Sequence, residues 1–326
     1  MRFEQAREVD PAEWNALVAG DPGATFFART EWVELASGVS PRSDPVYLTA
    51  RDGGRLVAGL PAVQKRRLGF STIESLPFGT YGGVVSAPGC PPEAAAGLLR
   101  RFGRIARSPV VAAAHLMDLR GAACDLGRFR ARDEGAQIVR LDRPFEEIWN
   151  GFKPSARNKI RKARKAGVGV RRAAQADDFR AYHSMLVELS ERWGDPCPFD
   201  VGFFLALSEL DPSHVQMWVA ELDGAIIGAD LNFVQNGWIM NWGNVSRHEA
   251  RRHAPNNVLH SAAIERGIED GHRVYDLGSS AGIPGVEAFK SAFGTERIAL
   301  RLLSAEKAWY RCARRVARAG AGRGRP

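Results

Sequence analysis

The sequence predicts an α/β (α+β) protein that contains two tandem copies of one structural unit. Two segments resemble each other: VYLTARDGGRLVAGLPAVQ, which begins at Val46, and MWVAELDGAIIGADLNFVQ, which begins at Met217. Each has an apolar run, an Asp-Gly turn and a second apolar run, which is typical of a β-hairpin. Aligning the turn glycines as well as Gln64 with Gln235 requires one residue to be gained in the second copy.

The elements that follow each hairpin also have the same order. In the first copy an apolar strand precedes a helix over 94–106 and a strand over 113–119. In the second copy the apolar strand GWIMNWGNV precedes a helix over 256–266 and a strand over 273–277. The shared order favours a tandem duplication over a chance likeness of two hairpins.

The two copies are joined by residues 141–153, which predict a strand, a turn and a helix from about residue 145. A basic helix over 155–166 follows and ends at Gly167, where a helix commonly has its glycine cap. A further helix is predicted over 177–193.

A chain of 326 residues is long enough for two domains that each bury a core. We place the first domain at 1–145 and the second at 146–305. A basic helix end and tail follow at 306–326.

The composition, 45% hydrophobic and 25% charged, is typical of a soluble globular protein. No apolar run reaches the length of a membrane span, and the N-terminus lacks the apolar core of a signal peptide. The cysteines (Cys90, Cys124, Cys197 and Cys312) lie far apart and show no metal-ligand spacing. We therefore expect a cytoplasmic protein with reduced thiols, no zinc site and no disulfide framework.

The net charge of +8 favours acidic partners such as tRNA, nucleotide-linked sugars or an anionic membrane surface. Part of this charge comes from the arginine-rich segment 305–326. Solubility is the alternative explanation for the excess charge.

The segment GHRVYDLGSSAGIPGVEAFKSAFG (271–294) is the strongest candidate for a functional site. It predicts a strand that ends at Asp276, a glycine-broken loop and a helical turn that carries Phe289 and Lys290. The pattern places a carboxylate at a strand end and a lysine just beyond a loop, as in sites built on rigid elements. The alternative is an ordinary loop that Asp276 caps, with a solvated Lys290.

This segment resembles the C-terminal motif of the FemABX-type aminoacyl transferases and of the related BioF2-like acetyltransferase-domain family, both in the GNAT superfamily. Similar pieces are ATFFARTEWVELA, FGTYGGVV, ARNKIRKARKAGVGVR and RWGDPCPFDVGFF. The resemblance implies tandem GNAT-like domains, each a mixed, mostly antiparallel sheet flanked by helices, with the reaction site in or next to the second. No heptad insertion is present, so the form without a coiled-coil arm is expected.

The resemblance also implies roles for residues of the motif. Lys290 matches the lysine of the family's Phe-Lys-x-x-Phe-Gly pattern, and we assign to it the electrostatic stabilisation of an oxyanion. Asp276 would orient Lys290 or receive a proton. Phe289 would form a wall of the acceptor channel, or simply belong to the core.

The donor implied by the resemblance is aminoacyl-tRNA, whose ester is already activated, so no cofactor and no metal is expected. Acetyl-CoA is disfavoured by the sequence itself. GNAT enzymes that use it cradle its pyrophosphate on a glycine-rich loop at a helix N-terminus. At the corresponding place this chain has RHAPNN (252–257), and Pro255 has no N–H to offer.

Five basic residues of the predicted helix form a candidate phosphate-binding face for tRNA or a nucleotide-sugar. Arg157, Arg161 and Arg164 share one side at helical spacing, with Lys162 and Lys165 nearby. The alternative is a solvated face.

Further candidates for substrate binding are Tyr81 and Gly82, which resemble a family motif in the first domain. The alternative explanation for Tyr81 and Gly82 is a bulged strand end. Asn232, Asn241 and Asn244 are polar residues in otherwise apolar strands and are candidates to line a channel. The histidines show no metal spacing, and we expect His260 to have a surface role.

Together these observations predict an acyltransferase that forms an amide bond. The first interpretation is transfer of an amino acid from aminoacyl-tRNA to an amine of a peptidoglycan precursor or a peptide-like metabolite. The enzymatic alternative is a CoA- or carrier-dependent N-acyltransferase in polysaccharide or lipid assembly. The alternative from another class is a non-catalytic domain pair that binds an anionic polymer. Peripheral membrane contact and the oligomeric state stay open.

Overall fold

Both predicted hairpins are present in the computed structural model, which describes residues 1–119, 129–194 and 196–322, with side chains as far as residue 316. The chain forms two compact units. The first is Met1–Asp133 with Leu300–Pro326, and the second is Glu134–Ala299.

The first unit contains the following elements: β1 (Arg2–Ala6), α1 (Pro11–Gly20), α2 (Thr30–Gly38), β2 (Ser43–Asp52), β3 (Arg55–Arg67), β4 (Phe70–Ser75), β5 (Val85–Ser86), α3 (Pro92–Arg107) and β6 (Val111–Asp118). A short 3-10 helix, Phe26–Ala28, precedes α2.

The second unit contains α4 (Phe145–Gly151), α5 (Pro154–Lys165), β8 (Gly169–Arg172), α6 (Ala176–Trp193), α7 (Val201–Ser208), β9 (Val215–Leu222), β10 (Ala225–Gln235), β11 (Trp238–Ser246), α8 (Pro255–Glu269), β12 (Val274–Ser279) and α9 (Pro284–Ser291). Strands β7 (Arg130–Arg140) and β13 (Glu296–Glu306) each contribute residues to both units, and α10 (Ala308–Gly322) belongs to the first.

The sequence predicted domain boundaries at 145/146 and 305/306. In the structure the divisions fall inside strands instead. Residues 134–140 of β7 belong to the second unit, and residues 300–306 of β13 belong to the first.

Each unit has a mixed, mostly antiparallel sheet flanked by helices. In the first unit β1 to β4 are antiparallel neighbours, β4 pairs in parallel with β6, and β6 pairs antiparallel with the end of β13. In the second unit β8 to β11 are antiparallel, β11 pairs in parallel with β12, and β12 pairs antiparallel with β7. This repeated topology is the one that the order of sequence elements predicted.

The hairpin registers show the duplication residue by residue. Leu60 pairs with Leu48 as Asp230 pairs with Trp218. Both hairpins carry a bulge at the same place, at Val57 in β3 and at Ile227 in β10: Ala58 pairs with Ala50 as Gly228 pairs with Ala220, and Leu56 pairs with Arg51 as Ile226 pairs with Glu221. The register continues unbroken to Val63 and Phe233, so no residue is gained between the copies over this stretch and the alignment of Gln64 with Gln235 was wrong.

Each unit buries its own core. In the first unit, side chains of β2, β3, β4 and β6 pack against α3, with Leu98 and Phe102 of that helix fully buried. In the second unit, α8 presents Leu259 and Ile264 to the sheet, and α5 adds Ile160. No helix in the described ranges is long and apolar enough to cross a membrane.

Local sequence explains where the main helices begin and end. α6 starts in a capping box in which the Gln175 and Asp178 side chains exchange hydrogen bonds with each other's backbone, and it ends at Gly194 with φ of 70°. α5 starts with Pro154 and ends before Gly167, close to the predicted 155–166.

The backbone at Gly82 lies very close to the backbone of Ser75 and Met117 in the first unit. Gly82 N–H donates to the Met117 carbonyl at 2.8 Å, and a Cβ at this position would lie 1.8 Å from the Ser75 carbonyl oxygen. We expect Gly82→Ala to lower the free energy of unfolding by about 1–3 kcal/mol or more, because the backbone would have to move. Chemical denaturation would measure this. Gly38→Ala is the control, since a Cβ there meets no atom within 4 Å, and equal stability of the two variants would contradict the expectation.

Candidate active site

The candidate site lies in the second unit, where β11 and β12 separate. The two strands pair over only three positions, which end at Met240 and Asp276. Beyond them β11 continues along β10 to Ser246, whereas β12 continues along β7 to Ser279. We call the space between the diverging strands the strand gap.

Lys290 reaches the strand gap from α9. Its Nζ donates to the Ser279 carbonyl at 2.8 Å. A Cβ on Gly278 would lie 3.8 Å from Lys290 Nζ and 4.0 Å from the Asn241 carbonyl oxygen. Gly278 has φ of 72°, which favours glycine, and the lack of a side chain leaves room beside the ammonium.

The environment of Lys290 shifts its proton affinity. Burial lowers the pKa of Lys290 to about 8, and the Asp276 carboxylate partly opposes this shift. Asp276 is itself 1% exposed, and its Oδ1 accepts from Gly278 N–H at 2.7 Å. Asp276 therefore caps the loop, and it acts on Lys290 through its charge, because the ammonium donates to Ser279. Lys290 is half-buried, not solvated.

A fully buried carboxylate, Asp230 of β10, organises the polar side chains on the β10 side of the strand gap. Asn244 donates to its Oδ1 at 3.2 Å, and Asn232 and the Tyr275 hydroxyl donate to its Oδ2 at 3.1 Å each. Asn241 also donates to Oδ1. These donors come from β10, β11 and β12, so that the carboxylate ties three neighbouring strands together.

The cluster extends to α8 through His260. The His260 Nδ1 and the Tyr275 hydroxyl are 2.7 Å apart. Since Tyr275 donates to Asp230, its oxygen accepts from His260, which places the imidazole proton on Nδ1. Burial lowers the pKa of His260, with Asp230 opposing and Lys290 adding to the shift, so that the ring is neutral at pH 7. The ring packs against Phe289 and Phe293, with centroids 5.5 and 5.2 Å away.

The surface role expected for His260 was therefore wrong, since its exposed fraction is 2%. Asp230 and Tyr275 were not among the predicted site residues. The available signal was a run of polar residues in apolar strands, but only the pairing of Asp230 with Asn244 and of Asn232 with Asn241 reveals the cluster.

The predicted substrate-binding residues have different surroundings. Asn232 is fully buried, so it holds the Asp230 cluster and does not line a channel. Asn244 is partly exposed, and because its amide nitrogen faces Asp230, its oxygen points away from the carboxylate. Phe289 packs against His260 and Phe293, which fits both the wall and the core interpretation.

Tyr81 and Gly82 belong to the first unit. Tyr81 is 6% exposed, and its ring meets Phe27 edge to face at 6.5 Å. Gly82 forms a parallel bridge with Asp118. The structure thus gives both residues a packing reason, whereas their contact with a substrate stays a prediction.

The basic helix α5 is amphipathic. It buries Ala156, Ile160 and Ala163, which leaves Arg161, Lys162, Arg164 and Lys165 exposed and Arg157 half-buried.

Two of these arginines have partners from outside the helix. The Arg161 guanidinium lies 5.6 Å from the Trp149 ring centroid, and Arg164 pairs with Glu265 of α8 at 3.5 Å. The side chains of Lys162 and Lys165 make no hydrogen bond or ion pair within the described residues, so their charges face solvent.

The start of α8 has the features that the sequence indicated. Pro255 occupies its first turn and Ala254 has φ of 50°. Pro255 is buried, and a Cβ on Gly228 would lie 2.9 Å from its Cβ. The first turn of α8 thus packs closely on β10 and lacks the N–H that proline cannot supply. Among the described residues no group of His, Cys, Asp or Glu is placed to hold a metal ion.

Comparison with known proteins relates the chain to proteins with the acetyltransferase (GNAT) fold. Residues 151–291, which lie in the second unit, match the family model of the acetyltransferase (GNAT) domain. The fold of the chain is that of tandem GNAT-like proteins, which confirms the predicted fold class and the resemblance to FemABX-type and GNAT proteins. No curated protein sequence matches the chain.

Three solved structures share this fold. FemX has a TM-score of 0.70 at 15% identity, over 91% of this chain and 96% of that chain. The C-terminal domain of a putative lysylphosphatidylglycerol synthetase from Agrobacterium fabrum has a TM-score of 0.62 at 14% identity, over 94% and 95%. A tandem GNAT protein from the clavulanic acid biosynthesis pathway has a TM-score of 0.56 at 17% identity, over 94% and 98%.

The lowered pKa of Lys290 makes a prediction about stability. The folded state disfavours the Lys290 ammonium, so burying this charge lowers the free energy of unfolding. This loss of stability is fully present below pH 8 and disappears as pH rises from about 8 toward 10.5, the ordinary pKa of lysine. We expect Lys290→Met to be at least as stable as the wild type at pH 7, and its advantage to shrink by at most about 3 kcal/mol on going to pH 10.5.

Urea unfolding between pH 7 and 10.5 measures this difference. Lys159→Met, at an exposed position of α5, is the matched control and should show no such trend. A constant difference between Lys290→Met and the wild type across this range would contradict the burial of the charge.

Proposed function

We propose that this protein is an acyltransferase that transfers an aminoacyl group from aminoacyl-tRNA to an amine. The observation that carries the proposal is the position of Lys290, half-buried at the strand gap of a GNAT domain with a pKa of about 8. At pH 7 this side chain is still mostly an ammonium. Its Nζ donates to the Ser279 carbonyl, and the nearby Asp276 carboxylate favours its charged form.

The reaction needs one charge to be stabilised. The acceptor amine attacks the ester carbonyl, a C–N bond forms, and negative charge develops on the carbonyl oxygen. The C–O bond to the tRNA ribose then breaks, and the proton of the amine passes to the leaving ribose oxygen. A fixed ammonium in a site of low polarity stabilises the developing oxyanion more than water does. Lys290 takes this role. The Asp276 carboxylate raises the proton affinity of Lys290 and so helps Lys290 to stay charged near pH 7.

The donor is proposed on two grounds. The first turn of α8 has Pro255 and close packing where a CoA pyrophosphate would need free N–H groups. The exposed basic residues of α5 offer contacts to phosphates, and α5 lies next to α8 through the Arg164–Glu265 ion pair. FemX and the lysylphosphatidylglycerol synthetase domain, which share the fold, support aminoacyl transfer as the reaction class.

The acceptor we propose is an amine of a peptidoglycan precursor or of a peptide-like metabolite. The outward-facing amide oxygen of Asn244 and the Phe289 ring are the side chains that would contact it. A second candidate function is a CoA- or carrier-dependent N-acyltransferase. The match of residues 151–291 to an acetyltransferase domain favours it.

Substitution of Lys290 tests the catalytic proposal. In an assay with radiolabelled aminoacyl-tRNAs and peptide-amine acceptors, we expect Lys290→Met to lower kcat by about 100- to 1,000-fold. Ionisation of the acceptor amine affects the wild type and the variant alike, so it cancels in the ratio of their turnover rates. This ratio should fall as pH rises through about 8, because Lys290 of the wild type then loses its charge. A ratio that rises instead would make Lys290 a base. Turnover near that of the wild type would remove Lys290 from the mechanism, as the non-catalytic alternative requires.

Substitution in α5 tests the donor. We expect the double variant Lys162→Ala, Lys165→Ala to bind tRNA more weakly, with a slope of log Kd against log salt reduced by about 1.5, because two phosphate contacts are lost. Fluorescence anisotropy of labelled tRNA measures both quantities. Arg180→Ala, an exposed basic residue of α6, is the control. Unchanged tRNA binding together with tight binding of CoA thioesters would favour the N-acyltransferase.

A further inference from the structure

The first unit contains a cleft of about 660 Å³ that the proposed function does not use. Its floor lies on the face of the sheet opposite to the core, to which Ile73 and Ala114 point. The floor is formed by cross-strand neighbours of β4, β6 and β13, and arginines lie at its rim. The side chains used below are Glu74, His115, Met117, Arg130, Glu306 and Arg314.

The cleft occupies the place that the strand gap occupies in the second unit. Glu74 pairs with His115 between β4 and β6 as Met240 pairs with Asp276 between β11 and β12. The hairpin registers match as far as Val63, which pairs with Glu74 as Phe233 pairs with Met240. His115 therefore stands where Asp276 stands, on the same face of the sheet. Ligands of such sheets commonly bind where neighbouring parallel strands end and diverge.

Most charges of the cleft are already paired. Glu306 pairs with Arg314 and lies 3.6 Å from His115, and Arg132 is engaged in other contacts. Glu74 and Arg130 face the cleft without a hydrogen bond or ion pair to any described residue, or to each other. The cleft therefore presents one carboxylate and one guanidinium without partners, separated by more than an ion-pair distance.

An apolar strip lies beside these two charges. Met117 and Leu302 are cross-strand neighbours next to the pair of His115 and Ser304, and Leu76 lines the cleft with them.

We propose that this cleft binds a small zwitterion, a free amino acid or short peptide with an apolar side chain. Its ammonium contacts Glu74, its carboxylate contacts Arg130, and its side chain covers the Leu76–Met117–Leu302 strip. The site is separate from the proposed reaction, because neither Lys290 nor α5 takes part in it.

Calorimetric titration tests the site on the full chain with leucine, methionine and the dipeptide Leu-Leu as probes. We expect at least one of them to bind, and we expect Glu74→Gln and Arg130→Gln each to raise its Kd about tenfold or more, since each removes a charge-assisted contact. Glu93→Gln and Arg55→Gln, at exposed positions outside the cleft, are the matched controls and should leave Kd unchanged.

Analogues of the ligand separate the two contacts. Leucinamide lacks the carboxylate, so its affinity should respond to Glu74→Gln and not to Arg130→Gln. N-acetylleucine lacks the ammonium and should show the reverse. The proposal is overturned if no probe binds the wild type at millimolar concentration, if binding ignores both substitutions, or if N-acetylleucine binds as tightly as leucine. Activity of Lys290→Met has no bearing on any of these results.

Discussion

The buried carboxylate of Asp230 is the constraint on which the candidate site depends. A charged carboxylate removed from water is costly unless hydrogen bonds replace its hydration. Here donors from Asn232, Asn241, Asn244 and Tyr275 do so, and each is satisfied only if β10, β11 and β12 keep their present register. The same bonds fix which way the asparagine amides face. The carboxylate therefore sets both the position of the strands and the polarity of the surface beside the strand gap.

The Asp230 cluster also fixes the position of Lys290, indirectly, through Tyr275 and His260. Tyr275 links Asp230 to His260, and the His260 ring packs against Phe289 and Phe293 on either side of Lys290 in the sequence. α9 has no fully buried residue of its own, so this aromatic contact with α8 helps to hold it, together with the hydrogen bonds of Lys290 to Ser279 and of Lys153 to Ser291. Closely packed aromatic rings and buried hydrogen bonds allow only small movements, so the Lys290 ammonium has little freedom at the strand gap. Such preorganisation is what electrostatic stabilisation of a developing charge requires.

The sequence was sufficient for the fold and for one part of the site. Alternating apolar residues around Asp-Gly turns identify both hairpins, and glycine and proline mark the ends of α5. Lys290 and Asp276 could be proposed together because both stand in one short segment, 271–294. The asparagines were noted one by one, but their grouping around Asp230 was missed because Asp230, Asn244 and Tyr275 come from three strands and meet only through strand pairing. Arg164 was assigned to an open phosphate-binding face because its partner Glu265 lies on another helix.

The duplication shows which polar residues the fold itself does not need. In the first unit the hairpin positions that match Asp230 and Asn232 are Leu60 and Ala62, which are fully buried in an apolar core. The position that matches Tyr275 is Ala114, also fully buried. The same topology thus folds around apolar side chains at these places, which avoids the cost of burying a charge. The second unit bears that cost at the matching positions, where β11 and β12 diverge beside Lys290. A structural role alone gives no reason for this difference between two copies of one unit, whereas a site that needs fixed amide and hydroxyl groups does.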